Sequence, residues 1–130
     1  MLKKVLSVGQ CNPDHNSIRD FLESNFHCTV IRIDSTEEAL VAMRTSNYDL
    51  VLVNRKLDID YTDGTNLIKK MAEDGTFKNI PAMLISNFAE YQKEAMELGA
   101  VLGFGKLECG KPETKQNLSR FLDHKESQLA

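Results

Sequence analysis

The sequence has no long apolar run, few cysteines and no excess of positive charge. Its apolar runs are only a few residues long, which excludes a membrane-spanning helix. Three isolated cysteines, an odd number without a Cys-x-x-Cys pair, predict reduced thiols and argue against a disulfide framework or a zinc site. The formal charge of -3, from 16 basic and 19 acidic residues, gives no support for nucleic-acid binding.

The length of 130 residues is that of one domain able to bury its own core. We expect a single domain over residues 1–130, with a core at 1–124 and a frayed tail at 125–130. The basic residues Lys3 and Lys4 are not followed by the apolar stretch of a signal peptide. A cytoplasmic protein is therefore the expectation.

Short apolar runs alternate with amphipathic segments along the whole chain. Five strands are predicted, at residues 5–8, 29–33, 50–53, 82–85 and 101–105. Helix starts are indicated by Asn12-Pro13 and Pro112, and by a capping box from Ser35 to Glu38. The last helix is predicted to carry Leu118, Phe121 and Leu122. Helical crossovers connect parallel strands, so the pattern predicts an α/β, doubly wound, three-layer sandwich.

Function in such a sheet is expected at the carboxyl ends of the strands. The residues that follow those ends are Gly9 and Gln10, Asn54, Ser86, and Lys106. Each also has an ordinary explanation: Asn54 as a turn residue, Ser86 as a hydroxyl bonded to backbone, and Lys106 as a surface lysine.

The chain resembles the receiver domain of bacterial response regulators, the chemotaxis-protein (CheY-like) type, over nearly its whole length. The residues that carry the resemblance lie at 3–8, 48–54, 63–64, 80–86 and 98–100, followed by Lys106. The resemblance implies a five-stranded parallel sheet in the flavodoxin-like order 2-1-3-4-5, and a role in two-component or phosphorelay signalling.

The family's functional positions can be carried over one by one. Its Mg²⁺-binding acidic pair falls on Gly9 and Gln10, and its phosphoryl-accepting Asp falls on Asn54. The hydroxyl and the Lys that contact the phosphoryl oxygens fall on Ser86 and Lys106, which retain the family's residue types. This chain therefore resembles a degenerate, or pseudo-receiver, variant.

Two further positions of the fifth strand depart from the family. The aromatic residue that switches rotamers falls on Gly103, while the neighbouring Phe104 is expected to face the other side of the strand. Leu107 replaces the Pro that usually follows the Lys. The segment between Ser86 and Lys106 is also shorter than usual.

The departures remove the chemistry of phosphorylation. A carboxamide such as that of Asn54 is a poor nucleophile. Mg²⁺ prefers anionic oxygen ligands, which Gly9 and Gln10 lack. We predict no enzyme activity, no cofactor, lost Mg²⁺ binding and weak affinity for small anions, with Lys106, Ser86 and Arg55 supplying positive potential.

The loop after Asn54 carries Asp58, Asp60 and Asp63 and is longer than in the family. It is predicted to be a solvated acidic loop. Three alternatives remain open here: a replacement Mg²⁺ site, phosphorylation at one of these carboxylates, or pairing of one of them with Lys106.

Three functions of different classes follow. The leading hypothesis is a phosphorylation-incompetent module that contacts a protein partner, or a second copy in a homodimer. The resemblance places the partner on the fourth helix, fifth strand and fifth helix, from Tyr91 to Leu122, with no role for nucleic acid or membrane. The runner-up is a phosphorelay receiver that accepts its phosphoryl group at Asp58 or a nearby Asp. A flavodoxin-like cofactor binder is the third, since the fold permits it.

Overall fold

A computed structural model describes residues 2–125 of the chain. Strands and helices alternate from the start of this range to its end. They are β1 (Lys3–Val8), α1 (Asn12–Asn25), β2 (Cys28–Ile33), α2 (Thr36–Thr45), β3 (Leu50–Asn54), α3 (Thr65–Glu73), β4 (Ala82–Ile85), α4 (Ala89–Glu97), β5 (Val101–Phe104) and α5 (Pro112–Leu118). Residues 126–130 of the predicted tail lie outside the described range.

The five strands form one parallel sheet in the order β2-β1-β3-β4-β5, as predicted. The pairing of β1 with β3 places Val8 beside Val53, and the pairing of β3 with β4 places Asn54 beside Ile85. This register brings the carboxyl ends of the three central strands to the same height.

Two hydrophobic cores lie on the two faces of the sheet. Along β3, Leu50 and Leu52 pack on the side of α1 and α5, whereas Val51 and Val53 pack on the side of α2, α3 and α4. All four side chains are fully buried. A strand buried on both faces reads as a continuous apolar run, which explains the pattern of residues 50–53.

The start of α2 has one half of the predicted capping box, the bond from the Glu38 N–H to the Ser35 side chain. The N–H of Glu38 donates to Ser35 Oγ at 3.1 Å, and Ser35 Oγ donates to a carboxylate oxygen of Glu38 at 3.0 Å. Helix α1 begins at Asn12-Pro13, as predicted, but Asn12, whose residue type favours the capping position, does not cap it. Cys11 occupies the capping position, and the Asn12 side-chain oxygen instead accepts a hydrogen bond from Arg32.

The last helix is shorter than predicted, because α5 ends at Leu118 and excludes Phe121 and Leu122. The following segment pairs with the end of α1: His27 N–H donates to Asp123 O at 2.8 Å, and Lys125 N–H donates to Asn25 O at 3.0 Å. Residues 119–122 form turns, in which Leu122 N–H still donates to Leu118 O at 2.9 Å, and the pairing of residues 123 and 125 prevents the helix from continuing beyond them. Leu122 is nevertheless buried, which accounts for its place in the apolar pattern.

None of the helices within residues 2–125 is long and apolar enough to cross a membrane.

Candidate functional site

The polar residues predicted to form a site lie at one edge of the sheet. Gly9 and Gln10 follow β1, Asn54 ends β3, Ser86 follows β4, and Lys106 follows Gly105 after β5. Parallel strands that start on one side of a sheet end together on the other, which is why separate parts of the sequence meet here. The contacts differ between the β1–β3 half of this edge and the β4–β5 half.

Leu57 closes the edge above β1. It is fully buried although it stands in a polar loop. A Cβ atom added at Gly9 would lie 2.3 Å from Leu57 Cδ2, and Gly9 has a φ of 76°, in the left-handed region that favours glycine. The N–H of Asp58 also donates to Gly9 O at 2.9 Å, which ties the loop to the strand end. A side chain at position 9 would therefore strain the backbone and require Leu57 to move.

Leu57 was missed at the sequence level. The available signal was a single leucine between the charged residues Lys56 and Asp58. Ile59 and Tyr61 follow at alternate positions but are exposed, so the apolar pattern alone did not distinguish the buried residue from its neighbours.

The Asn54 side chain binds backbone groups at the end of β3. Its amide nitrogen donates to Lys56 O at 2.8 Å and, more weakly, to Gly9 O at 3.5 Å. Both acceptors are backbone carbonyl oxygens. A carboxylate cannot donate to a carbonyl, so only the amide can make these bonds.

Gln10 lies next to Gly9 and is fully buried. Within residues 2–125 neither atom of its side-chain amide has a hydrogen-bond partner, while its backbone oxygen accepts from Arg32 at 3.3 Å. An unpartnered buried amide is costly. The glutamine is thus held inside the protein by packing and not by its polar atoms.

Lys106 forms an ion pair with α1. Its Nζ lies 2.6 Å from Asp14 Oδ2, and both side chains are about one third exposed, at 35% and 33%. Hydrogen bonding from Lys106 lowers the pKa of Asp14; burial opposes this shift, and a hydrogen bond from Cys11 adds to it. The considered pairing of Lys106 with Asp58, Asp60 or Asp63 is wrong for this structure.

The acidic loop carboxylates have local partners of their own. Asp60 accepts from the Thr62 hydroxyl at 2.7 Å, and that contact lowers the pKa of Asp60. Asp63 pairs with Lys56 at 3.0 Å. Asp58 is exposed, and its backbone N–H donates to Gly9 O.

Gln92 organises the β4–β5 half of the edge. It is nearly buried on α4, and its amide nitrogen donates to Leu84 O at 2.9 Å and to Ser86 O at 3.1 Å. Its amide oxygen accepts from Gly103 N–H at 2.9 Å. The side chain thereby joins backbone groups of Leu84, Ser86 and Gly103 where the register of the β4–β5 pairing is irregular.

Gly103 lies at that irregularity, between the paired residues Val101 and Phe104. A Cβ at Gly103 would be 2.3 Å from Leu84 O, so an aromatic side chain has no space there. Phe104 faces the opposite side, as expected, and contacts the Phe21 ring edge-on with 6.4 Å between centroids. Sequence reasoning missed Gln92; the only signal was a glutamine beside the apolar positions Tyr91 and Ala95.

Two concave surfaces adjoin this half. A groove of about 580 Å³ runs between α4, β5 and α5, where Met96 and Leu102 are 46% and 47% exposed. A smaller cavity of about 260 Å³ lies beside Ser86 and Lys106 at the start of α4. Ser86 is 8% exposed, and its Oγ accepts from Phe88 N–H at 3.2 Å.

Solved structures with the same architecture are response-regulator receiver domains. A CheY-like receiver domain from Methylobacillus flagellatus matches with a TM-score of 0.69 and 24% identity, covering 92% of this chain and 98% of that one. The Francisella response regulator 1452 receiver domain matches with a TM-score of 0.74 and 21% identity, covering 92% and 95%.

The chain has the receiver fold. The chemotaxis response regulator CheY4 of Vibrio cholerae shares this receiver fold, with a TM-score of 0.73 and 19% identity over 94% of this chain and all of that one. A scan against protein-family models and a search of curated proteins found no match. At these identities the likeness establishes the fold, and the side chains must carry any argument about function.

The site residues do not fit the Mg²⁺ ion that the receiver resemblance implies. Position 9 is closed by Leu57, and Asn54 directs its amide nitrogen at the carbonyl oxygens of Lys56 and Gly9. In the described part of the chain, no group of three His, Cys, Asp or Glu side chains could hold a metal ion. A hard divalent cation requires several oxygen ligands, preferably carboxylates, and this edge does not supply them.

Proposed function

We propose that this chain is a receiver-type signalling domain of a two-component or phosphorelay pathway that does not accept a phosphoryl group and acts through protein contacts. The observation that carries the proposal is the packing of Leu57 on Gly9, the position on which the resemblance puts the first metal-binding carboxylate. Asn54 supports it, because its amide is bonded to two carbonyl oxygens and offers no carboxylate nucleophile. On this proposal the protein is not an enzyme and binds no Mg²⁺.

Incubation with acetyl phosphate and Mg²⁺, followed by intact mass spectrometry, tests the loss of phosphorylation. We expect no adduct on this protein. A receiver domain that carries the acidic pair and the acceptor Asp serves as the positive control and should be modified under the same conditions. An adduct on Asn54 would disprove the proposal. An adduct that disappears in Asp58→Asn would establish the runner-up function of a phosphorelay receiver with a displaced acceptor.

The groove between α4, β5 and α5 is the proposed partner surface. It combines the exposed apolar residues Met96 and Leu102 with the acidic residues Glu97, Glu108 and Glu113. Burial of such apolar side chains stabilises a complex, while the carboxylates favour a partner with basic residues at its rim. A second copy of the chain is the other candidate occupant.

Leu102→Asp tests this surface, with Val41→Asp as the matched control, because Val41 is exposed on α2, away from the groove. We expect a photo-crosslinker placed at Met96 to capture a protein partner that Leu102→Asp loses and Val41→Asp retains. Sedimentation velocity of the purified protein separates a homodimer from a foreign partner. Equal capture by both variants would contradict the assignment of this face.

A further inference from the structure

A histidine is buried where α1 packs on the sheet. His15 lies in the first turn of α1 and is 6% exposed, and Ser7 of β1, which it faces, is fully buried. His15 Nδ1 and Ser7 Oγ lie 3.4 Å apart, a long contact with a neutral group. Among residues 2–125 the imidazole makes no other hydrogen bond. A buried ring whose partner is neutral is favoured in its uncharged form.

Arg32 on β2 is a fixed positive group whose charge acts on this histidine. Its guanidinium donates to Gln10 O at 3.3 Å and to the side-chain oxygen of Asn12, and it pairs with Asp34 at 3.6 Å. These three acceptors hold the guanidinium against the loop that leads into α1. It therefore cannot move away from a second positive charge without losing those bonds.

The other groups around His15 compensate a positive charge poorly. On α1 itself, Arg19 repels a protonated imidazole, and Glu23 attracts it from about two helical turns away. The Glu23 carboxylate already accepts from Val30 N–H at 2.9 Å. The first turn of the helix adds the positive end of its dipole. The side chains that β3 and α5 pack into the core on this face are apolar: Leu50, Leu52 and Leu118.

The affinity of His15 for a proton depends on whether α1 is packed on the sheet. Burial lowers the pKa of His15 below its ordinary value of 6.5, repulsion from Arg32 and Arg19 adds to the shift, and Glu23 opposes it. When the start of α1 leaves the sheet, the ring is solvated and its pKa returns to the ordinary value. Below pH 6.5 the open state therefore binds more protons than the closed state. Acid shifts the equilibrium towards the open state by up to about tenfold for each pH unit, the limit for one proton.

We propose that His15 is a proton-operated switch, which holds the start of α1 on the sheet while it is neutral and releases that segment when it is protonated. Asp14 precedes His15 in the same helical turn and pairs with Lys106 at 2.6 Å, so opening separates this ion pair. Acidification then changes the surface of the strand-end edge and acts as an input that requires no phosphoryl group. The proposal stands whether or not the chain is phosphorylated, because the switch uses no residue of the phosphoryl site.

Two NMR measurements on the purified protein test the switch without any substitution. The imidazole Cε1–H signal of His15, followed against pH, is expected to titrate with a midpoint below 6.5. Amide hydrogen exchange, expressed as protection factors so that the intrinsic effect of pH is removed, measures opening. Between about pH 7.5 and about pH 5, we expect protection in the first two turns of α1 to fall about tenfold. Helix α2, which contains no histidine, should keep its protection.

Three variants assign the effect to this side chain. His15→Gln removes the titrating group and keeps a polar side chain, so protection of α1 should no longer depend on pH in this range. His27→Gln is the matched control, because His27 is exposed and lies beyond the end of α1, and it should behave like wild type. Arg19→Gln keeps His15 and removes one repelling charge from an exposed position, so the acid-induced loss of protection should be smaller than in wild type.

Several results would overturn the proposal. A His15 signal that titrates at or above pH 6.5 would exclude the switch, as would protection of α1 that does not change on acidification. An equal loss of protection at the amides of β3 would show that acid unfolds the whole domain and does not open α1 alone. The same pH dependence in His15→Gln as in wild type would assign the opening to another group.

Discussion

The two halves of the strand-end edge differ in how much open space they leave. At the ends of β1 and β3 the space is closed: Leu57 covers Gly9, and the Asn54 amide bonds to backbone oxygens. At the ends of β4 and β5 a cavity remains, and it is lined by donors. In the family that this chain resembles, the first half supplies the carboxylates and the second half contacts the phosphoryl oxygens.

The comparison shows that the β1–β3 half can lack carboxylates while the β4–β5 half still presents hydrogen-bond donors. The resemblance implies that the family's carboxylate positions fall on Gly9, Gln10 and Asn54, which carry no negative charge. The potential at the open half therefore becomes more positive, with Asp14 as its remaining counter-charge at Lys106. A closed half and an open half can also be perturbed separately, which makes the comparison testable.

The largest effect is expected from filling the closed half with Gly9→Asp. The substitution forces a side chain into a left-handed backbone position and against Leu57, which together should cost about 2–5 kcal/mol of unfolding free energy. Urea denaturation measures it. Gly110→Asp is the control: Gly110 has a φ of 89° but no atom near its added Cβ, so it reports conformational strain alone. Equal losses in the two variants would show that Leu57 does not close the site.

A loss of comparable size is expected in the open half from Gln92→Leu. The substitution leaves Leu84 O, Ser86 O and Gly103 N–H without their partner, and each buried group left unsatisfied costs about 1–3 kcal/mol. Lys93→Leu, at the exposed neighbouring position, should change stability by no more than about 0.5 kcal/mol. Thermal unfolding of both variants checks the difference. If Gln92→Leu were as stable as wild type, the irregular β4–β5 pairing would not depend on this side chain.

Asn54→Asp is the third perturbation and tests the closed half chemically. It replaces a donor by an acceptor next to Lys56 O and Gly9 O, so we expect a loss of about 1–2 kcal/mol at neutral pH. We also expect no phosphoryl adduct with acetyl phosphate and Mg²⁺, even when Gly9→Asp and Gln10→Asp are added, because Leu57 packs against position 9 and obstructs a carboxylate there.

The matched control is Asn87→Asp in the open half. Asn87 uses its oxygen to accept from Leu107 N–H, a role that a carboxylate keeps, so its stability should stay near that of wild type. Intact mass and chemical denaturation measure the two effects. Efficient phosphorylation of the single Asn54→Asp variant would contradict the closure of the site.

The smallest effect is expected from the ion pair of Asp14 and Lys106. The pKa of Asp14 is lowered in the folded protein, so the contribution of the pair is present above the ordinary carboxyl pKa of 3.8 and is lost as the pH falls through the lowered value. Partly exposed pairs contribute only about 0–1 kcal/mol. Asp14→Asn should thus be slightly less stable than wild type at neutral pH and equal to it in strong acid. A stability difference that grew towards acid pH would contradict this sign.

Much of the architecture followed from local patterns in the sequence. The continuous apolar run at residues 50–53 predicted a strand buried on both faces, and the structure confirms it. The residues at the strand ends could be named in advance because parallel strands end at one edge. The predicted end of α5 was wrong. The backbone of Asp123 and Lys125 pairs with residues far away in the chain, and such pairing leaves no local pattern in the sequence.

The sequence by itself determined the five βα units, the strand-end positions of Asn54, Ser86 and Lys106, and the absence of carboxylates at Gly9 and Gln10. These depend on residue type and on periodicities of two and 3.6, which are local properties. The tertiary structure alone decided that Leu57 covers Gly9, that Gln92 completes the β4–β5 pairing, and that Lys106 pairs with Asp14. Those contacts join residues far apart in the chain, and their geometry is set by packing of the whole sheet and its helices.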